Sequence, residues 1–277
     1  MVRIFGPLVG LFFAVALGWC LLNGAMAVAP VMGKYGTFAE PTAAKLYGKP
    51  HKELELQSDG PFGTWNKPQL QRGFQVYKEV CSNCHSLRYV SFRDLTDLGY
   101  NEAEVKAIAK QWATKQPTHD DKTGDNATRD NLPSDHFPLV YYAGQGSPPD
   151  LSLITKARHG GASYVYSLLT GYEDAPAAMI KQFPDSKTPD GLHFNPYFAN
   201  LNIAMPPPLT SEGQVSYGDG TKASVDQMAK DVSAFLTWTA EPKLVKRRQT
   251  GWAVLGFLLA ATVLAYMSKR QIWADQH

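Results

Sequence analysis

The five residues Cys81-Ser82-Asn83-Cys84-His85 constrain this chain more than any other stretch of its sequence. They follow the pattern C-x-x-C-H, which is typical of covalent attachment of a c-type haem. Two intervening residues allow a single helical turn to present both thiols to the two vinyl groups on one edge of the macrocycle. The histidine that follows can then ligate the iron through a neutral imidazole nitrogen. We therefore predict one haem c, bound through Cys81 and Cys84, with His85 as an axial ligand.

Two other kinds of site share part of this pattern. A thioredoxin-like redox pair would need a βαβ context, which the surrounding sequence does not indicate. A zinc site would need a second Cys or His pair, and the one remaining cysteine, Cys20, lies in an apolar N-terminal segment. The spacing therefore favours haem over both alternatives.

The nearly balanced charge conceals an asymmetry between segments. The chain of 277 residues has 27 Lys and Arg against 25 Asp and Glu. Six of the basic residues and one acidic residue lie outside residues 28–245, which leaves 21 basic and 24 acidic side chains in that stretch. This balance gives no indication of nucleic-acid binding and predicts a mildly acidic domain with a basic flank.

The N-terminal residues 1–27 are predicted to be a signal peptide. After Arg3, residues 4–22 are apolar, and Ala25-Met26-Ala27 has the A-x-A form of a cleavage site. An uncleaved anchor remains the alternative, because this apolar run is longer than the usual core of a signal peptide.

A second apolar stretch predicts a C-terminal transmembrane anchor over residues 246–268. Gly251–Met267 has no charged residue and lies between Lys246-Arg247-Arg248 and Lys269-Arg270. Its length, its basic flanks and its terminal aromatic residues favour a membrane span over a buried helix of a soluble domain. If the signal peptide exports residues 28–245, that domain lies in the periplasm and the tail 269–277 stays in the cytoplasm.

The region between these segments is predicted to be mainly α-helical, with long loop insertions and no regular sheet. Helices are expected from Lys67 into the haem motif, from Asn101 to about Lys115, from Asp150, from Ser163 to Gly171 and from Ser224 to Pro242. Residues 28–65 and 116–149 are expected to be largely irregular, and a hairpin is expected around Gly218-Asp219-Gly220. The acidic residues of the 116–149 loop lack the register of a calcium-binding loop.

A methionine is the best candidate for the second axial ligand. Met205 is followed by Pro206-Pro207-Pro208, which stiffen the backbone and can hold a thioether in place at small entropic cost. Met179 is expected at a flexible surface position, and Met228 lies on the apolar face of a helix, where packing is the ordinary role. Met267 falls in the membrane segment, and His159 and His193 remain the alternatives for a bis-histidine haem.

Several segments, taken together, make the chain similar to a known family. From about Arg72 to the C-terminus it resembles cytochrome c1, the haem c subunit of the cytochrome bc1 (ubiquinol–cytochrome c oxidoreductase) complex, in its bacterial form. The segments that carry the resemblance are RGFQVYKEVCSNCH, PPDLSLITKARHGG, YVYSLLTGY, FNPYF, IAMPPPL and DQMAKDVSAFLTWTAEPK.

The resemblance implies roles for particular residues. Cys81 and Cys84 match the thioether cysteines, His85 the proximal ligand and Met205 the distal ligand. Arg158 matches an arginine near a haem propionate, and Pro149 or Pro148 matches the loop whose carbonyl accepts the other ring N–H of the histidine.

The function implied is electron transfer within the bc1 complex, from the Rieske iron–sulfur protein through haem c to a soluble or membrane-tethered c-type cytochrome. Cytochrome b would lie beside the membrane helix, and the complex would be dimeric. On this reading the chain is a redox subunit and has no catalytic side chain of its own. The acidic candidates for guiding a basic acceptor are Glu173, Asp174 and the 120–135 loop. The alternatives are a tethered cytochrome outside any complex and a haem enzyme or gas sensor with an open sixth position.

Overall fold

The computed structural model describes residues 2–35, 41–144 and 147–276, and about half of the chain is helical. The α-helices are α1 (Val2–Tyr35), α2 (Ala43–Tyr47), α3 (Lys67–Glu79), α4 (Glu102–Gln111), α5 (Ile154–Ala157), α6 (Gly161–Leu169), α7 (Ala177–Gln182), α8 (Val225–Ala240) and α9 (Leu244–Ile272). Shorter 3₁₀ turns cover Cys81–Asn83, Phe92–Leu98, Pro184–Ser186 and Ala274–Gln276. The predicted mainly α class with a C-terminal apolar helix is confirmed.

The described residues also form two small antiparallel sheets, so the expectation of no regular sheet is wrong. Strand β1 (Gln116–His119) pairs with β2 (Asn126–Arg129), and β3 (His193–Phe194) pairs with β4 (Asn202–Ile203). The first sheet is a surface hairpin within the stretch expected to be a loop, and its side chains are mostly exposed. The expected hairpin around Gly218-Asp219-Gly220 is a turn without strands.

Local capping signals explain where the principal helices begin. The side chain of Asn66 accepts a hydrogen bond from the Gln69 N–H at the start of α3, and Ser224 accepts one from the Gln227 N–H at the start of α8. Asn101 and Glu104 cap the start of α4 reciprocally, as predicted. That helix ends at Gln111 rather than near Lys115, because Trp112 turns to an extended backbone conformation and its side chain is buried in the core.

The main core lies where α3 crosses α8, and aromatic rings fill it. Phe74 and Tyr77 of α3 pack against Phe235 of α8 with ring centroids 5.6 and 5.8 Å apart, and Trp112 and Phe137 close the cluster. Gly73 allows the crossing, because a Cβ at this position would meet the backbone of Asp231 and would lie 2.7 Å from the Cβ of Phe235.

A buried ion pair accompanies this crossing. The Arg72 Nε atom donates to the Asp231 carboxylate at 2.8 Å, and the Gln227 amide donates to the same group. The Asp231 side chain is completely buried. Because a buried carboxylate without partners would cost several kcal/mol, this pairing permits only the register in which Arg72 faces Asp231.

A second, smaller core lies beside the first. It contains Ala43 of α2, Met179 of α7, Phe194 of β3 and Leu201, and we call it the satellite core. Met179 is fully buried there, so the expected flexible surface position is wrong. Residues that are distant in sequence cover this side chain. The residues of α7 alone therefore do not predict that Met179 is buried.

Two helices are long and apolar enough to cross a membrane, by length and composition. They are the Val9–Lys34 part of α1 and the whole of α9, and neither apolar window is buried. Helix α1 passes without interruption through Ala27, the predicted cleavage position. Within α9, residues 249–268 are uncharged, and 20 helical residues extend about 30 Å, which matches the hydrocarbon thickness of a bilayer.

We expect Gly73→Ala to destabilise the folded domain by about 3 kcal/mol or more, because the added methyl group would push against the α8 backbone. Thermal unfolding of the membrane-purified protein, followed by circular dichroism, measures this effect. Gly218→Ala is the matched control, since nothing lies within 4 Å of a Cβ at Gly218. Equal melting temperatures for the two variants would contradict a tight α3–α8 contact.

Candidate functional site

The C-x-x-C-H motif begins where α3 ends. Cys81–Asn83 form a 3₁₀ turn, and the Cys81 carbonyl accepts hydrogen bonds from the N–H groups of both Cys84 and His85, at 3.1 and 2.9 Å. Both thiols are free and half-buried. The buried environment of Cys81, together with the nearby Cys84, raises the pKa of its thiol to about 12. Near neutral pH this thiol is therefore protonated.

His85 is held at both its backbone and its ring. Its carbonyl accepts a hydrogen bond from the Tyr77 hydroxyl at 2.9 Å, and its ring Nδ1 lies 2.7 Å from the carbonyl oxygen of Pro149. A carbonyl can only accept, so Nδ1 must hold the proton and donate it. Burial lowers the pKa of His85, although the Pro149 contact and the Asp150 charge oppose that effect. In the neutral tautomer that results, Nε2 has a free lone pair.

Pro149 belongs to a loop that is fixed against the motif by several hydrogen bonds. The Asp150 carboxylate accepts from the N–H groups of Arg88 and Ser152, and the Leu151 N–H donates to the Ser86 carbonyl at 2.9 Å. Asp150 was expected to cap a helix directly, but α5 begins only at Ile154. The loop instead fixes the Pro149 carbonyl, and through it the orientation of the imidazole.

Met205 lies midway along a segment with a buried leucine at each end. Leu201 belongs to the satellite core and Leu209 to the main core. Leu201 has φ of 67°, an unusual backbone conformation for a bulky residue, which costs on the order of 1–3 kcal/mol and is maintained by its burial. On the other side of Met205, the Gln214 amide donates to the Pro208 carbonyl and accepts from the Thr210 N–H. The half-buried Met205 is thus held on a stiff segment.

Tyr172 contacts the candidate ligand Met205, and the sequence analysis does not predict this contact. Its hydroxyl donates a hydrogen bond of 3.0 Å to the Met205 carbonyl, and it follows α6, whose residues pack on the main core. Tyr172 is the last residue of the segment YVYSLLTGY. Nothing in that segment predicts which backbone carbonyl accepts the hydrogen bond from its hydroxyl.

The remaining candidates stand apart from these contacts. Arg158 is exposed, and the structure gives its guanidinium one hydrogen bond, to the Ala157 carbonyl. His159 is exposed, and His193 lies in β3 with its ring against Tyr172. Met228 is completely buried in the main core, in agreement with a packing role.

The residues present fit a covalently bound haem c. Two free thiols precede a histidine whose Nδ1 is occupied and whose Nε2 is available, and this is the donor set that the attachment chemistry requires. Among the described residues, no three or more His, Cys, Asp or Glu side chains form a cluster that could hold a metal ion.

Comparison with known proteins gives a consistent assignment. The model of the Cytochrome C1 family matches residues 56–276. Cytochrome c1 of Rhodospirillum rubrum is 42% identical over 233 residues, covering 78% of this chain and 85% of that protein. A mitochondrial cytochrome c1 heme protein of Solanum tuberosum is 42% identical over 223 residues, covering 78% and 82%.

A third relative is much longer than this chain. Cytochrome b/c1 of Bradyrhizobium diazoefficiens is 41% identical over 239 residues, which cover 79% of this chain but 35% of that protein. The relatives thus include bacterial and mitochondrial proteins, and the family match extends over most of the chain, from before α3 to the end of α9. The chain therefore belongs to the Cytochrome C1 family.

Proposed function

We propose that this chain is the haem c-bearing electron-transfer subunit of a cytochrome bc1 complex. The observation that carries the proposal is the hydrogen bond from His85 Nδ1 to the Pro149 carbonyl, directly after two free thiols. It leaves the imidazole in the tautomer that ligates iron, in a chain of the Cytochrome C1 family. The subunit itself performs no acid–base or nucleophilic step.

Cys81 and Cys84 would hold haem c as thioethers, with His85 and Met205 as the axial ligands. When bound, haem c supplies a one-electron Fe(III)/Fe(II) couple, and a Met/His ligand pair raises its potential. The protein's contribution is positional. Pro149 prevents rotation of the imidazole, and the segment between Leu201 and Leu209 restrains the methionine.

Arg158 would pair with a haem propionate. Its side chain is exposed, and among the described residues it has no carboxylate partner. Several of its five N–H donors are therefore available to a bidentate acceptor such as a carboxylate.

The electron would enter from a Rieske iron–sulfur protein and leave to a soluble or tethered c-type cytochrome. Cytochrome b would adjoin α9, and the name of the Bradyrhizobium relative, cytochrome b/c1, supports this neighbour. The resemblance implies a dimeric bc1 complex, and we propose the same oligomeric state for the complex that contains this chain.

The proposed topology has one membrane-spanning helix in the mature chain. Helix α9 would cross the bacterial cytoplasmic membrane, with residues 28–245 in the periplasm and residues 269–277 in the cytoplasm. Residues 1–27 would be removed as a signal peptide. N-terminal sequencing of the mature protein tests this last point, and a mature chain that starts before residue 28 would identify α1 as a second anchor.

Purification of the chain from membranes together with its associated subunits tests the whole assignment. We expect cytochrome b and a Rieske protein to copurify, and quinol to reduce the haem on this chain. A haem-loaded chain that purifies without either partner would indicate a tethered cytochrome outside the complex.

Met205→Leu is expected to lower the reduction potential by roughly 0.2 V or more, because axial ligands span a range of about 0.8 V in haem proteins. Covalent haem should remain, and the reduced form should now bind carbon monoxide. Redox titration and carbon monoxide difference spectra measure both effects. Met179→Leu is the control, because Met179 is buried in the satellite core and leucine nearly conserves its volume. An unchanged potential in Met205→Leu would exclude Met205 as the ligand.

Tyr172→Phe is expected to loosen the ligated methionine without removing it. Loss of one hydrogen bond costs about 1 kcal/mol, or about a fivefold shift towards a detached Met205. The weak methionine–iron charge-transfer band should therefore disappear at a lower temperature or denaturant concentration. Tyr166→Phe is the matched control, since it removes a tyrosine hydrogen bond to Asp226 and leaves Met205 untouched. If both variants change the band equally, Tyr172 has no specific role in positioning Met205.

Charge at the acceptor surface gives a further prediction. Glu173 is paired with Lys49 at 2.8 Å, so Asp174 is the stronger of the two candidates next to Tyr172. Asp174→Lys should slow electron transfer to a basic cytochrome severalfold at low salt. The effect should be small at high salt, because dissolved ions screen the attraction between the two protein surfaces. Asp121→Lys, on the exposed hairpin between β1 and β2, is the comparison. If Asp121→Lys alone slows the reaction, the acceptor binds at that hairpin instead.

A further inference from the structure

The turn formed by residues 58–64, which we call the foot loop, contacts the first turns of α9 through one ring stack and two hydrogen bonds. The Phe62 ring stacks on Trp252 with centroids 5.2 Å apart and an interplanar angle of 9°. The Trp252 indole N–H donates to the Pro61 carbonyl at 3.4 Å, and the Arg248 guanidinium donates to the Ser58 carbonyl.

A second aromatic contact lies beside the first, at Trp65, the residue that follows the foot loop. The indole N–H of Trp65 donates to the Pro242 carbonyl at 3.3 Å, two residues before α9 begins. Residues 58–65 thus contact the chain on both sides of Arg248, at Pro242 and at Trp252.

The exposure of these aromatic rings is unusual for an aqueous surface. Phe62 is 78% exposed and Trp252 is 48% exposed, although they stack on each other. An exposed aromatic pair beside an apolar helix has the composition of a membrane–water interface, where aromatic rings are enriched.

The depth of this pair follows from helix geometry. Arg248 is the last charged residue before the uncharged segment 249–268, and Trp252 follows four residues later, about one turn of α9 beyond Arg248. One turn rises about 5.4 Å, so Trp252 lies at the edge of the hydrocarbon if α9 spans the bilayer. Because Phe62 is stacked on Trp252, it must lie at nearly the same depth.

Two cationic side chains lie at the start of α9, before Arg248 and Trp252 in the sequence. Lys243 and Lys246 are exposed, and neither has an ion-pair partner among the described residues, whereas Arg247 is paired with Glu241. They lie six and nine residues before Trp252, so if α9 spans the bilayer their ammonium groups are on the headgroup side of the hydrocarbon edge, where anionic lipids attract them.

We propose that the foot loop is a second membrane contact of the soluble domain, with Phe62 inserted at the bilayer interface and Lys243 and Lys246 on anionic lipid headgroups. Because α9 alone could rotate and tilt, this contact determines the angle at which the haem domain stands on the membrane. The inference rests on the proposed membrane span of α9 and goes beyond the electron-transfer assignment.

Site-directed nitroxide labelling of the full-length, haem-loaded chain tests the proposal. Cys20→Ser provides the background, and the absence of label in that chain verifies that Cys81 and Cys84 are unreactive. Labels are then introduced at Thr64→Cys in the foot loop, Thr123→Cys on the exposed β1–β2 hairpin and Leu259→Cys within α9. The protein is reconstituted in phosphatidylcholine vesicles, with or without phosphatidylglycerol, and collision with an aqueous nickel chelate is compared with collision with oxygen.

We expect the Thr64→Cys label to be severalfold less accessible to the nickel chelate than the Thr123→Cys label. Phe62→Ser should raise its accessibility to the level at Thr123→Cys. Phosphatidylglycerol should shield the label further, and Lys243→Gln with Lys246→Gln should remove that additional shielding.

Equal accessibility at Thr64→Cys and Thr123→Cys, with the Leu259→Cys label shielded, would overturn the proposal while α9 remains a membrane span. A Leu259→Cys label open to the nickel chelate would instead contradict the span itself. If phosphatidylglycerol has no effect, or if the lysine variants keep its effect, the assignment of the two lysines to headgroups is wrong.

Discussion

The close crossing of α3 and α8 at Gly73 is the contact on which the rest of the domain depends. Helix α3 leads directly into the C-x-x-C-H motif, so any shift of α3 along α8 would move both thiols and His85 together. Gly73 permits the approach, and the neighbouring Arg72 fixes the register through the completely buried Asp231. A buried ion pair of this kind contributes little net stability but strongly disfavours alternative registers, since a shift would leave a buried charge alone.

The site itself is made largely of irregular chain on this helical base. Backbone carbonyls outside helices and sheets are free to accept other donors, and the site uses several of them. The Pro149 carbonyl orients the His85 ring, the His85 carbonyl accepts from Tyr77, and the Met205 carbonyl accepts from Tyr172. The irregular loops are therefore ordered by specific hydrogen bonds, and the proline run adds stiffness where such bonds are fewer.

The parts of the fold that sequence could predict are those determined by local chemistry. The caps at Asn66, Asn101 and Ser224 involve partners three residues away, and the structure contains all three. The burial of Met179 and the β3–β4 pairing depend on contacts between segments that are distant in sequence. The hydrophobic periodicity of a single segment does not predict such contacts. For the site, C-x-x-C-H predicts Cys81, Cys84 and His85 through its spacing, the proline run predicts Met205 through its stiffness, and these four assignments stay predictions. The hydrogen bond between Tyr172 and Met205 could not be found, because a tyrosine hydroxyl has no sequence signal for its acceptor.

The two buried leucines that flank Met205 belong to cores of different size, and this difference has a consequence for how the domain opens. The satellite core consists of Ala43, Met179, Phe194 and Leu201, whereas Leu209 is embedded in the large aromatic core. Small clusters with few buried contacts open at lower free energy than the global transition. The strained backbone at Leu201 favours that opening further. Amide hydrogens around β3 and β4 should thus exchange before those of α3 and α8, so the segment that contains Met205 is expected to open separately from the Cys81–His85 motif.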